Sequence, residues 1–232
     1  MFVVSELCDV VRVDADRLRG NSIYNALQQA LNNKFVNKVL LNCGLFIKVL
    51  DFLPESGTTD FHILPGDGAV HKKVYFRAIV FRPFLNEVLE GRVRSLSPEG
   101  VKISLEFFDD IMVQGMRMQH PSRWDSSKAC WIWDYGTDNG DSHELCLEAG
   151  DRVRFRIVDE KFTDCSPVGP LLELASSTGQ PQQQQSQQQQ QQQHHSQQQQ
   201  QQQQNSSLSS SYTLEAAMNE PGLGVLSWWS ST

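Results

Sequence analysis

The chain has 232 residues, a formal net charge of -7 and a pI near 5.3, a length that fits one large or two modest domains. That charge balance excludes strong non-specific attraction to duplex DNA or anionic membranes, which need a broad positive surface, so any nucleic-acid contact must be local or assisted by a partner. Five scattered cysteines, Cys8, Cys43, Cys130, Cys146 and Cys165, include no Cys-x-x-Cys pair and no His neighbour at zinc-site spacing, which points to reduced thiols in a cytosolic or nuclear protein.

The first residues carry neither a basic leader nor an apolar core of signal length. The longest apolar run, Val39 to Leu50, is broken by Asn42, Gly44 and Lys48, short of a membrane span, so a soluble intracellular protein is expected. Phe2 to Val13 is Val-rich and loosely alternating, which predicts a strand. After the Asp14-Ala15-Asp16 turn, Asn21 or Ser22 can cap a helix whose Ile23, Leu27, Leu31 and Phe35 recur every fourth residue. The apolar stretches around Val39 to Phe52 supply a sheet for that stripe to cover, with Gly44 expected at a bulge or close approach. A loop from Pro54 to Asp60 and a short run Phe61 to Leu64 lead to the tight turn Pro65-Gly66-Asp67-Gly68. Val70 to Phe84 then reads as a long strand with aromatics on both faces, which completes a small α+β unit. Pro83 marks the crossing into a second unit.

That second unit opens on Leu89 to Leu105, two alternating arms about a Ser97-Pro98-Glu99-Gly100 turn, the pattern of a β-hairpin. Val93, Leu96, Val101, Ile103 and Leu105 suit a buried side, with Leu96 out of step, while Arg92, Arg94, Lys102 and Ser104 point away. A hairpin with a cationic outer face can begin a small barrel that holds single-stranded nucleic acid, and the same pattern also suits a solvated sheet face. Glu106 to Val113 reads as a third strand and Gln114 to Lys128 as irregular. Cys130 to Tyr135 is a strand with Trp131, Trp133 and Tyr135 on one face, and it can form a hairpin with His143 to Leu147 across the Gly136 to Asp141 turn. Gly150 to Asp159 alternates cleanly, with Arg152, Arg154 and Arg156 opposite Val153, Phe155 and Ile157. From Ser176 to Ser211 the composition collapses to Gln and Ser, a tract with nothing to bury that is expected to be disordered. Its His194-His195 pair lacks the further donors a metal site needs. Tyr212 to Met218 and Gly222 to Trp229 resume an ordered pattern, so the tract is an insertion before the last strands, at a logarithmic entropy cost.

The order of these elements resembles the larger stalk subunit of RNA polymerases, the family of the polymerase II seventh subunit and its archaeal counterpart, and most of all the RNA polymerase III branch of that family. The residues that carry the resemblance are Pro65-Gly66-Asp67-Gly68-Ala69 with His71, Val80-Phe81 before Pro83-Phe84, and Ser97-Pro98-Glu99-Gly100-Val101 before Ser104-Leu105. Phe107-Phe108-Asp109-Asp110-Ile111, Trp131-x-Trp133, Arg154-Phe155-Arg156-x-Val158-Asp159-Glu160 and Glu220-Pro221-Gly222-Leu223-Gly224 through Ser227-Trp228-Trp229 complete the set, nearly end to end. The Gln tract is the one clear departure.

This resemblance implies an α+β, RNP-like tip domain over residues 1–82, followed by an all-β S1/OB-fold barrel over 83–232 that the disordered insertion at about 176–211 interrupts. It implies a nuclear, non-catalytic subunit that pairs with a smaller helical stalk subunit and docks on the RNA polymerase III core through Pro65, Gly66, Asp67 and Gly68. It also implies help in promoter opening and initiation, weak single-stranded RNA contact by the barrel, no cofactor and no membrane. On that surface Arg92, Arg94, Lys102, Arg152, Arg154 and Arg156 are assigned to RNA phosphates. Phe107 and Phe108 are adjacent, so only one can face outward, and Phe108 is assigned as the stacking ring. Asp109-Asp110 has no nucleophile, base or phosphate loop beside it to make a catalytic site. A paralogous polymerase II or I subunit and a free S1-type RNA-binding protein are the alternatives. A free module has no need of the N-terminal 82 residues.

Overall fold

The structure is a computed structural model that describes residues 1–18, 22–56, 61–136, 142–165 and 210–229. The Gln tract, His194-His195 included, lies outside the described residues apart from Ser210 and Ser211. By their contacts Met1–Phe162 and Tyr212–Thr232 make one unit, and Thr163–Ser211 belongs to a second.

Alternation in the first residues gives β1 (Phe2–Asp14), which pairs antiparallel along its whole length with β5 (Ala69–Phe81). Between them in sequence come helix α1 (Ile23–Phe35), β2 (Val39–Leu40), β3 (Gly44–Phe52) and β4 (His62–Ile63), and the sheet runs β1-β5-β3-β2 with β4 on β5. The four-residue apolar stripe of α1 does what its spacing predicts. Leu27 and Leu31 are buried against Phe46, Val49, Val74 and Phe76, with Ile23 and Phe35 packed at the margin. Gly44 is a point of close approach: a Cβ there would lie 2.5 Å from the Phe81 carbonyl oxygen, and its φ of +126° is one that side chains rarely adopt.

The hairpin forms as β6 (Val88–Ser97) and β7 (Gly100–Ser104), with Ser97 paired to Gly100 across the turn. A register shift between Val93 and Ser95 explains why Leu96 is out of step with Val93 in sequence yet packs on the same core. With β8 (Ile111–Gln114), β12 (Arg152–Phe162) and β13 (Tyr212–Ala217), the ladder closes on itself in the order β6-β7-β8-β13-β12-β6. Only the β8–β13 pair of this ring is parallel. A closed five-stranded barrel of this kind is OB-like. Its interior holds Val93, Val101, Ile103, Ile111, Val113, Val153, Phe155, Ile157, Leu214 and Ala216. The short β14 (Gly224–Val225) adds to β12.

Two sequence expectations fail here for local reasons. Glu106 to Asp110 is not strand. Glu106 sits at a φ of +71°, and the Ser104 hydroxyl receives the Glu106 N–H at 3.1 Å and donates to Asp109 at 2.5 Å, which turns the chain before β8 begins. The stretch read as irregular contains β9 (Ser122–Asp125), which joins β10 (Cys130–Gly136) and β11 (Ser142–Leu147) in a three-stranded sheet. Trp131 of β10 joins the barrel core, and its indole N–H donates to the Ser97 carbonyl at 3.0 Å. Trp133 packs on Trp228, whose segment Leu226–Trp229 is a 3-10 turn.

The N-terminal sheet and the barrel share apolar packing, since Leu45 and Phe81 belong to the barrel cluster. Arg82 donates to Glu160 at 3.1 Å and the Tyr212 hydroxyl donates to the same carboxylate at 3.1 Å, in a buried setting that pushes the Tyr212 pKa up. Phe162 and Tyr212, the residues that flank the insertion, are directly paired across β12 and β13 and stack at 4.4 Å. Deleting Gln182 to Gln204 about halves the intervening loop, a closure change of roughly 0.6 kcal/mol. The thermal midpoint of the deleted chain is therefore expected within about 2 °C of the parent. Loss of cooperative melting would show that the tract contributes to the fold.

Candidate nucleic-acid interface

The strand pairing brings the predicted cations together and also supplies their counter-charges. Arg92 on β6 stands directly opposite Arg152 on β12, and Arg154 stands opposite Glu90. Glu90 accepts from Arg154 at 2.8 Å and from Arg152 at 3.3 Å, and the Arg154 contact leads in holding its carboxyl below the usual range. Arg156 donates to Glu220 at 2.6 Å and to the Asn86 carbonyl at 3.3 Å. Arg94 pairs with Asp109. Arg92 and Lys102 have no acidic partner among the described residues. The six cations therefore do not form one uncompensated positive face: Arg94, Arg154 and Arg156 are paired with carboxylates, Arg152 shares Glu90 with Arg154, and Lys102 and Arg92, the residue opposite Arg152, are left without an acidic partner among the described residues. Opposed like charges cost stability unless an anion lies between or over them, and here Glu90 reaches Arg152 alone of the two.

Beside that pair runs an open groove of about 330 Å³ lined by Arg92, Ser104, Glu106, Phe107 and Arg152 among others. The assignment of Phe108 as the stacking ring does not fit this geometry. Phe108 is 5% exposed and packs on Phe81 and Tyr212 at 5.2 and 5.5 Å, so neither ring face is open to a base. Phe107 is the outward ring, 43% exposed, stacked with Phe2 at 5.9 Å and perpendicular to Phe81 at 5.0 Å. The amino-acid sequence carries no signal for Glu106 at this surface or for Phe107 over Phe108. The turn at Glu106 is the reason: it rotates Phe107 outward, where a strand reading leaves the choice between two neighbours open.

The turn assigned to polymerase contact closes differently from a simple surface loop. Asp67 accepts from Arg12 at 2.7 Å and 3.2 Å, and the His71 ring lies 2.8 Å from the same carboxylate. Arg12 and His71 are themselves opposite each other on β1 and β5. The Arg12 hydrogen bond, followed by that of His71, lowers the Asp67 pKa to about 2. Because folding lowers this pKa, the clamp is complete above the ordinary carboxylate range and is lost as pH falls through about 2. With Asp67 turned inward, Pro65, Gly66 and Gly68 remain exposed beside Ile63 and Leu64, which are 73% and 52% exposed. That is an apolar tip on a braced turn.

Residues 87–229 match the family model of RNA polymerase III subunit Rpc25. The chain belongs to the Rpc25 family. Among its relatives, the DNA-directed RNA polymerase III subunit RPC8 of Bos taurus is 38% identical over 232 residues, the whole of both chains. The RPC8 of Saccharomyces cerevisiae is 30% identical over 231 residues, 99% of this chain and 100% of its own. The archaeal DNA-directed RNA polymerase subunit Rpo7 of Sulfolobus acidocaldarius is 24% identical over 181 residues, 78% of this chain and 91% of its own. The Rpc25 match covers the barrel and its three-stranded insertion, and the RPC8 similarity extends it through the N-terminal sheet.

Proposed function

We propose that the chain is a non-catalytic stalk subunit of DNA-directed RNA polymerase III, working in the nucleus. The observation that carries this reading is the end-to-end similarity to polymerase III subunits across both the N-terminal sheet and the barrel. The N-terminal α+β portion acts as the RNP-like tip that docks on the core, the chain pairs with a smaller helical stalk subunit, and the barrel meets single-stranded RNA weakly and aids initiation. Support for tip docking comes from Ile63 and Leu64, two large apolar side chains exposed side by side on a turn that the Arg12–Asp67–His71 clamp holds in shape. Support for weak RNA contact comes from Arg92, which has no acidic partner among the described residues, and Arg152, which shares Glu90 with Arg154, in a groove that an exposed aromatic ring also lines.

Replacing Ile63→Asp with Leu64→Asp puts two charges where the docking surface must desolvate, and should cut recovery of core subunits with the tagged chain at least tenfold. Melting should change little, because both side chains are exposed in the free chain. Undiminished recovery of the core would place docking elsewhere.

A further inference from the structure

The groove beside Arg92 and Arg152 contains a group that phosphate binding does not use. Glu106 lines it, its carboxylate has no hydrogen-bond or ion-pair partner among the described residues, and its backbone is held at a φ of +71°. A non-glycine residue in that region carries strain, which the surrounding structure must impose. Here the Glu106 N–H is tied to the Ser104 hydroxyl at 3.1 Å, and Ser104 in turn is tied to Asp109. The result is a fixed turn that sets an acceptor-only carboxylate next to the outward Phe107 ring and the two arginines.

We propose that this groove is a base-selective subsite for guanosine within single-stranded RNA. The proposal rests on the RNA contact suggested above and adds the base that the site prefers. A carboxylate has two acceptor oxygens and no donor. The Watson–Crick edge of guanine presents two parallel donors, N1–H and the N2 amino group, and can engage both oxygens at once. Adenine and cytosine each place an acceptor nitrogen beside their amino donor, and uracil flanks its one N–H with carbonyls, so each sets a lone pair against the carboxylate. Unstacked bases in RNA are read in this way, by hydrogen bonds on the edge and stacking on an aromatic ring. Phe107 supplies the ring, and Arg92 with Arg152 supplies the cations for the adjoining phosphate. Glu90, the other carboxylate in the groove, is occupied by Arg152 and Arg154 and is not available for this purpose.

The test is fluorescence anisotropy with the full chain and end-labelled uridine oligonucleotides that carry one central guanosine, inosine or adenosine. Inosine keeps N1–H and lacks the N2 amino group. The guanosine oligonucleotide is expected to bind about tenfold more tightly than the inosine form, because one charge-assisted hydrogen bond is lost with the amino group, and more tightly still than the adenosine form, which also sets its N1 lone pair against the carboxylate. Glu106→Gln should reduce the guanosine-to-inosine ratio to near one without weakening the binding of plain oligouridine, since it removes a negative charge from the groove that holds the phosphate. Phe107→Ala should weaken all of the oligonucleotides. Equal affinity for guanosine and inosine, or a preference that survives in Glu106→Gln, would overturn the subsite and leave the RNA reading standing. Failure of every oligonucleotide to bind would remove the RNA reading and this subsite with it.

Discussion

Gly100→Ala is expected to lower the thermal midpoint by roughly 10 °C, a loss of about 3 to 5 kcal/mol. Gly100 is the first residue of β7, where the hairpin turn returns to the barrel. A Cβ there would lie 2.1 Å from the Val113 carbonyl oxygen and 3.1 Å from the Gln114 Cα. Both are backbone atoms of β8, and Gly100 is paired with Gln114 in the ladder, so neither strand can retreat without breaking ring closure. The neighbouring Val101, Ile103, Ile111 and Val113 are fully buried, and moving either strand would open the core around them. Gly68→Ala is the matched control, because a Cβ at Gly68 meets nothing within 4 Å. A Gly100→Ala chain that melts with the parent would show that the barrel has slack at this corner.

The double substitution Arg92→Ala with Arg152→Ala should weaken single-stranded RNA binding at least tenfold at about 0.1 M salt and flatten the salt dependence by about 1.4 log units per log unit of salt. The figure follows from two lost phosphate contacts at about 0.7 each for a single strand. Arg156→Ala should do much less, since its guanidinium is held by Glu220 at 2.6 Å and by the Asn86 carbonyl in the free chain, whereas Arg92 has no acidic partner among the described residues and Arg152 only a 3.3 Å contact to a shared Glu90. Relief of like-charge repulsion across β6 and β12 offsets the loss of the exposed Arg152–Glu90 contact, so little change in stability is expected from the pair. Equal effects from Arg156→Ala would restore the undivided cationic face, and an unchanged slope for the double variant would remove phosphate contact from this groove.

The strands were legible in the sequence where alternation was clean. The two hairpin arms and Arg152 to Ile157 form as read, because an error of one residue would have turned Val153, Phe155 and Ile157 to solvent. The helix stripe from Ile23 to Phe35 was equally plain. β9 has no such signal, because Ser122-Arg123-Trp124-Asp125 offers a single apolar residue, and its pairing with Cys130–Trp133 is decided by the sheet and not by its own composition. The site was legible as residue types and not as charge balance. Glu90 alternates with Arg92 and Arg94 and could have been read as a neighbouring counter-charge. Asp109 reaches Arg94 through a turn, and Glu220 reaches Arg156 from the far side of the insertion, so neither pairing has a local signal. The choice between Phe107 and Phe108 depended on the left-handed turn at Glu106, a conformation that Glu seldom marks in advance.

The central claim is membership of the polymerase III assembly, and the direct measurement is affinity purification of the tagged full-length chain from its own cells with mass-spectrometric identification of what it brings down. Polymerase III core subunits should be recovered together with one smaller stalk partner. Recovery of polymerase II core subunits in their place, or of no polymerase subunits at all, would contradict the account.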